Sequence, residues 1–316
     1  MRAVVYDRYG PPEVLRLVDL PRPEPAHGQV LVRVRATSVN LSDYETLRGK
    51  PLYSRIGGLR RPARSVLGSD IAGEVEAVGP GVQDLRPGDR VYGDNLMLKG
   101  GFAEFAVAPE RVLTPIPDGL TFAQAASIPQ AGVIAAIGTA RVERGMRVLI
   151  NGAGGGSGMF AIQLAKEAGA HVTGVDNAAK GEFMRSLGVD VVIDYRTQDY
   201  TRSGRYDVVL DMVAHRSILA RSRAVARGGS YQCVGGSVPA VLGAVIWGGL
   251  LGAVTHRSIG MAMATGGPDE FRPVADRVLS GALTVHIDRT VSLPEVPEAL
   301  RYSGEGRALG KVVVTP

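Results

Sequence analysis

Along the first 120 residues, apolar positions fall in short runs of β-branched residues bounded by Gly, Pro and Asp. AVVYD, QVLVRVRATSV, IAGEVEAVG, DRVYG and AEFAVAP each predict a strand. The pattern changes at Thr121, the expected N-cap of a helical stretch, TFAQAASIPQAGVIAAIGTARV. Beyond it, the strands RVLIN, HVTGVD, DVVIDY, YDVVLDMV and GSYQCVGG are interleaved with the helices SGMFAIQLAKEAG and KGEFMRSLG. Such alternation predicts βαβ units and a doubly wound parallel sheet. The tail, VHIDRTVSL, PEVPEALRYS and GKVVVTP, reads as strand, helix, strand. The expected organisation is α/β, with a β-rich domain over 1–120 and 267–316 and a parallel-sheet domain over 121–266.

The chain has 316 residues, 45% hydrophobic and 21% charged, enough for two globular domains. Its one cysteine, Cys233, excludes an internal disulfide and a four-cysteine zinc lobe, which fits a reducing, cytoplasmic setting. The N-terminus shows no apolar signal region. The run VPAVLGAVIWGGLLGAV (238–254) is uncharged but holds Pro239 and four glycines. It is expected to be a buried helix or pocket wall rather than a membrane span. The net charge is +5, and the densest basic group is Arg55, Arg60, Arg61 and Arg64. A solvated loop is the plainer reading of these arginines, an anion site the sharper one. No aromatic residues interleave with them, so no nucleic acid is expected as partner.

Five glycines crowd the eight positions of NGAGGGSG (151–158), between a strand and a helix. A strand-to-helix turn aims backbone N–H groups and the positive helix end at a phosphate. Glycine allows the tight turn, the approach of a pyrophosphate and close helix packing. Gly152, Ala153, Gly154, Gly155, Gly156, Ser157 and Gly158 are therefore expected to hold a dinucleotide; a purely structural turn is the alternative. Asp176 ends the next strand, where an acid bonds an adenosine ribose diol and repels a 2′-phosphate. That favours NADH, while Lys180 and Arg196 pull toward NADPH. Asn177 and Tyr195 flank the same strand ends. The alternative for Asp176 is a helix cap.

LGSDIAGEVEAVGPGV, GDRVYG, INGAGGGSGMFAIQLAKEAGAHVTGV, SLGVDVVIDY and GKVVV together resemble the medium-chain dehydrogenase/reductase superfamily, in its zinc-independent quinone oxidoreductase branch. The resemblance runs nearly end to end. It implies a GroES-like catalytic domain, an inserted Rossmann domain, a homodimer, and a nicotinamide cofactor held in a cleft between the domains. The zinc-ligand positions of the superfamily's alcohol dehydrogenases match Asn40, Ser69 and Ala131, which supply no thiolate or imidazole. The five histidines form no i, i+4 pair either, so no metal is expected. Asn40 matches the branch's VN motif, and Tyr44 follows on what reads as the same loop. Both are implied to line the nicotinamide pocket, although Leu41 stands where the branch often has proline, and packed core is the alternative for Tyr44. Val234, Gly235 and Gly236 match the backbone segment that meets the nicotinamide amide. Lys311 matches a basic position near the cofactor phosphates.

Without a metal, reduction of a plain ketone leaves a localised alkoxide unsupported. Reduction of a quinone or enone builds a delocalised anion that hydrogen-bond donors can carry. NAD(P)H-dependent reduction of a small apolar quinone or α,β-unsaturated carbonyl is the reading reached. Its rivals are an enoyl-thioester reductase and a non-catalytic NAD(P)H sensor or RNA-binding protein.

Overall fold

The structure, a computed structural model, describes residues 1–316 except Gly57, Met263 and Thr265. The chain divides into two compact units, residues 1–133 with 265–316, and residues 134–264. In chain order the first unit supplies β1 (Arg2–Val5), β2 (Arg16–Asp19), β3 (Gln29–Val39), α1 (Leu41–Arg48), β4 (Asp70–Val78), β5 (Arg90–Asp94), β6 (Phe105–Pro109), β7 (Leu113–Pro115) and α2 (Phe122–Ser127). Helix α3 (Pro129–Thr139) carries the chain into the second unit. There follow β8 (Arg147–Asn151), α4 (Gly156–Glu167), β9 (His171–Asp176), α5 (Gly181–Ser186), β10 (Val191–Asp194), β11 (Tyr206–Asp211), α6 (Ile218–Arg223), β12 (Val225–Cys233), α7 (Val238–Thr255) and β13 (Ser258–Met261). Helix α8 (Pro268–Leu279), β14 (Ile287–Ser292), α9 (Val296–Gly304) and β15 (Lys311–Thr315) return to the first unit.

The first unit is a mainly antiparallel sheet in the order β14-β15-β3-β4-β5-β7, with β6 on β3. Strand β3 is its hub. Val30, Val32 and Val34 alternate inward to meet Ile71, Val75 and Val91, as a strand with one core face requires. Strand β15, the last of the chain, pairs antiparallel with β3, with Val312 opposite Val39. Thr121 caps α2 as expected: its hydroxyl accepts from the Gln124 N–H at 3.2 Å and the Gln124 side chain accepts from the Thr121 N–H at 3.1 Å. Helix α2 lies within the first unit, so the division falls after Val133, inside α3, rather than before Thr121.

The second unit is a six-stranded parallel sheet in the order β10-β9-β8-β11-β12-β13. Its central strands β8, β9 and β11 read as near-continuous apolar runs because helices cover both faces. The chain order reverses between β8 and β11. In open α/β sheets, ligands bind at that switch point, beyond the carboxyl ends of the strands.

Two elements depart from the sequence reading. Residues 41–48 form helix α1 instead of a loop, with Asn40 at its start donating its N–H to Asp43 Oδ2 at 3.1 Å. The apolar run 238–254 is not a buried helix. Helix α7 is long and apolar enough to cross a membrane, yet only a stripe of small residues, Ala240, Ala244, Gly248 and Gly252, is buried. Gly248 and Gly252 sit against the backbone of Ile259 and Arg257, where a Cβ would come within 2.7 and 2.5 Å of carbonyl oxygens. The i, i+4 spacing of these residues lays the helix along β13.

Candidate functional site

In the second unit, the glycines of 152–158 serve different ends. Gly152 has φ +90°, a left-handed turn leaving β8. A Cβ on Gly158 would lie 2.3 Å from the Ala153 carbonyl oxygen, so this glycine lets α4 pack on the strand. A Cβ on Gly154 would strike the Lys180 side chain at 2.5 Å. Gly155 differs from all three. Its φ is −95°, and among the described residues a Cβ would meet only the Gly152 oxygen, at an ordinary 3.4 Å. No described contact requires glycine there. Gly155 is the N-cap of α4, and the N–H groups of Gly156, Ser157 and Gly158 have no recorded acceptor among the described residues. Open donors at a positive helix end, beside a position kept bare, fit an anionic diphosphate.

Asp176 lies where the sequence placed it, at the end of β9, but it does not act alone. Its Oδ2 accepts from the Gly154 N–H at 3.0 Å, and its Oδ1 from the Asn177 N–H at 2.8 Å. Lys180 Nζ approaches to 3.5 Å, and both side chains are buried. The carboxylate thus ties the glycine loop to β9 and is neutralised by Lys180. The expected lean to NADH weighed this acid against Lys180 and Arg196, and of these two bases Lys180 lies against the carboxylate. Tyr195 is exposed beside it, its N–H on the Asp176 carbonyl, with the Arg196 guanidinium 5.8 Å from its ring centre.

After β12, Val234 donates its N–H to the Asp211 carbonyl and the Gly235 carbonyl accepts from Ala214. Gly236, at φ +138°, presses so close to Ala214 that a Cβ would fall 2.1 Å from its oxygen. Beneath this loop lies a buried network with no distinctive spacing in sequence. The fully buried Asp211 carboxylate accepts from Tyr200, Tyr231 and Asn151 at 2.7–2.8 Å. Arg221 donates to the Tyr231 hydroxyl and the Ala240 carbonyl, both at 2.7 Å. The network braces the ends of β8 and β11, between which the glycine loop emerges.

The first unit holds a second polar cluster, in its own sheet. Lys311 is 2% exposed, and its ammonium donates to Asn40 Oδ1 at 2.7 Å and lies 3.4 Å from Asp70 Oδ2. Asn40 Nδ2 donates to the same Asp70 oxygen at 2.9 Å. Asp70 also accepts from Ser38 and from the Gln130 N–H, each at 3.0 Å. Asp43 takes the Gly68 N–H at 3.2 Å and faces Lys99 Nζ at 3.4 Å. Asn40 and Ser69, two of the positions matching zinc ligands, are 3.4 Å apart here, and Ala131 is buried. Among the described residues no group of three His, Cys, Asp or Glu side chains is placed to hold a metal.

This geometry bears on three expectations. Lys311 is not an accessible phosphate ligand, because Asn40 and Asp70 consume its charge in the sheet interior. Asn40 is 8% exposed with its amide bonded on both ends, which makes it an anchor rather than a free donor. The Tyr44 ring packs on α9, where a Cβ at Gly304 would come within 2.4 Å of it, and its hydroxyl accepts from Arg48 at 3.2 Å. In the arginine-rich loop, Arg60, Arg61 and Arg64 are exposed, whereas Arg55 stacks on Tyr9 and bonds the Gly49 carbonyl.

Residues 26–118 match the alcohol dehydrogenase GroES-like domain, and residues 187–314 the zinc-binding dehydrogenase domain. Over 336 aligned residues the chain is 30% identical to the chloroplastic quinone-oxidoreductase QR1 of Triphysaria versicolor, covering 100% of this chain and 98% of that protein. The chain belongs to the medium-chain dehydrogenase/reductase superfamily, quinone oxidoreductase-like branch. It is also 33% identical to the chloroplastic NADPH-dependent alkenal/one oxidoreductase of Arabidopsis thaliana, over 100% of this chain and 80% of that one. The quinone oxidoreductase structure from Coxiella burnetii superposes with a TM-score of 0.86 at 30% identity, covering 100% of this chain and 99% of the other. Some relatives are far larger. The chain is 32% identical over 313 residues, 93% of its length, to a pikromycin polyketide synthase component of Streptomyces venezuelae, and spans 8% of it. The two matched domains give the fold class expected from the sequence, a GroES-like unit and a Rossmann unit.

Asp94 generates a test of the first-unit cluster. Burial, and then the nearby Asp70, push its carboxyl up to about 7, and its Oδ1 has no hydrogen-bond partner among the described residues. An unfolded aspartate titrates near 3.9. Between about pH 4 and about pH 7 the folded chain therefore binds more protons than the unfolded one, and this group's contribution to stability falls as pH rises. Asp94→Asn is expected to remove most of that decline, as read from urea midpoints of both proteins across the range. Parallel curves for the two proteins would show that Asp94 is not the group responsible.

Proposed function

We propose that this protein is a metal-independent, NAD(P)H-dependent oxidoreductase that reduces quinones or α,β-unsaturated carbonyl compounds. The observation that carries the reading is Gly155: a bare position that no described contact requires, at a helix start with three open N–H donors. The quinone oxidoreductase and alkenal/one oxidoreductase relatives support the substrate class. The match to a segment of a polyketide synthase favours a second reading, reduction of an enoyl thioester.

Bound NAD(P)H supplies the hydride. The chain's own part is to hold, orient and neutralise. Gly155 and the N–H groups of Gly156, Ser157 and Gly158 take the diphosphate. Asp176, Asn177, Lys180 and Tyr195 form the adenosine end, and the backbone of Val234–Gly236, stiffened by Ala214 and the Asp211 network, offers the nicotinamide amide its partners. Asn40 acts by position, fixing the start of α1 through Asp70 and Lys311. A quinone or enone spreads the arriving negative charge over a conjugated system, so no Lewis acid is needed and water supplies the proton. A homodimer, as the family resemblance implies, would use the open edge of the parallel sheet at β13.

Gly155→Val is expected to leave the melting curve unchanged and to weaken NAD(P)H binding a hundredfold or more, about 2.7 kcal/mol, in a fluorescence titration. Normal binding by the folded variant would remove the loop from the cofactor site. With Lys180 balancing Asp176, the wild type should use NADPH at least as well as NADH. Lys180→Met should lower the kcat/KM for NADPH relative to NADH about tenfold, or about 1.4 kcal/mol. A wild type restricted to NADH would show that Asp176 governs the site despite its lysine.

A further inference from the structure

Helix α7 carries a large apolar surface that the fold leaves uncovered. Leu242, Val245, Ile246, Leu250 and Val254 recur at i, i+3, i+4, i+8 and i+12 and form one face. Trp247, the only tryptophan of the chain, widens it. Leu250 is 63% exposed, Val254 73% and Trp247 56%. Leu219 on α6, which packs beside α7, is exposed as well. A contiguous apolar face of this extent marks a binding surface.

Charge decides its occupant. Between Asp211 and Asp269 there is no acidic residue, and five arginines lie at 216, 221, 223, 227 and 257. They account for the whole net charge of +5, since the rest of the chain holds 31 basic and 31 acidic residues. Arg221 is buried in the Asp211 network and Arg216 faces Asp199 at 3.8 Å. Arg223 and Arg227 are exposed with no ion pair recorded among the described residues. Arg223 ends α6, and Gly228, next to Arg227 in β12, donates its N–H to the His256 carbonyl just beyond α7. Arg223 lies one turn along α6 from the exposed Leu219, so a basic patch adjoins this face. An anionic surface neutralises it. A helix with an apolar face and basic neighbours, held flat by a packed stripe, has the form of an interfacial anchor.

We infer that α7 docks this protein on the surface of a membrane containing anionic lipids, with its apolar face entering the headgroup region and Arg223 and Arg227 meeting lipid phosphates. The helix does not span the bilayer, because its small-residue stripe is packed on β13. The inference is independent of the proposed reaction.

The full-length protein is mixed with phosphatidylcholine vesicles with and without phosphatidylglycerol. Binding is read by co-sedimentation and by Trp247 fluorescence. Binding to the anionic vesicles, a blue shift of the emission and release by raised salt are expected. Leu250→Ser with Val254→Ser, and separately Arg223→Glu with Arg227→Glu, should each weaken partitioning about tenfold or more while the circular dichroism is kept. No binding to anionic vesicles at low salt would overturn the proposal, as would equal binding to both vesicle types. So would an apolar-face variant that turns a wild-type dimer into a monomer in sedimentation, since that assigns the face to a second copy. The wild-type fluorescence result decides the matter even where a variant fails to fold.

Discussion

A buried ammonium group must find its counter-charge within the protein, and the first unit is built around that demand. Lys311 sits on the final strand, β15, and its partners Asn40 and Asp70 lie 271 and 241 positions away in the sequence. Burial lowers the lysine's pKa, and Asp70 opposes that drop. Leaving either charge alone in such a place costs far more than the pair gains, so the arrangement locks β15, β3 and β4 in a single register. Asn40 is one of the positions that the family resemblance matches to zinc ligands, and a built-in cation, Lys311, bonds its side chain.

On the proposed reading, the second unit follows a different constraint, the close approach of a polyanion to backbone. Gly152 is set by φ, Gly154 by the lysine crossing it and Gly158 by helix packing, whereas a Cβ at Gly155 would meet no described atom closer than 3.4 Å. The loop is held rigid from two sides. Asp176 bonds its Gly154 N–H, and the Asp211 network fixes the strand ends between which it emerges. Pre-ordering of this kind reduces what binding must spend on loop entropy.

Periodicity and turn chemistry made most of the fold legible. Strand β3 alternates cleanly, Thr121 caps its helix, and the strand–glycine–helix passage could be located without coordinates. Helix α1 was missed because LSDYETLR has little apolar periodicity, and its start is fixed by Asp43 meeting the Asn40 N–H. The roles of Lys311 and Asp176 depend on side-chain direction, which motif spacing does not encode. Lys311 faces the sheet interior, and Asp176 is shared with Lys180. The Asp211 network joins residues from 151 to 240 with no spacing to mark them. Helix α7 misled for a related reason: hydropathy reports what a helix would bury, not whether its own chain buries it.

The central claim is direct, metal-independent hydride transfer to a conjugated carbonyl compound. Single-turnover reaction of chelator-treated protein with NADPH carrying deuterium at the transferable C4 position, and with an enone, tests it most directly. The account predicts one deuterium on the β-carbon of the saturated product, detected by mass spectrometry, at a rate unchanged by metal removal. A product without deuterium, or turnover that returns only when zinc is restored, would contradict it.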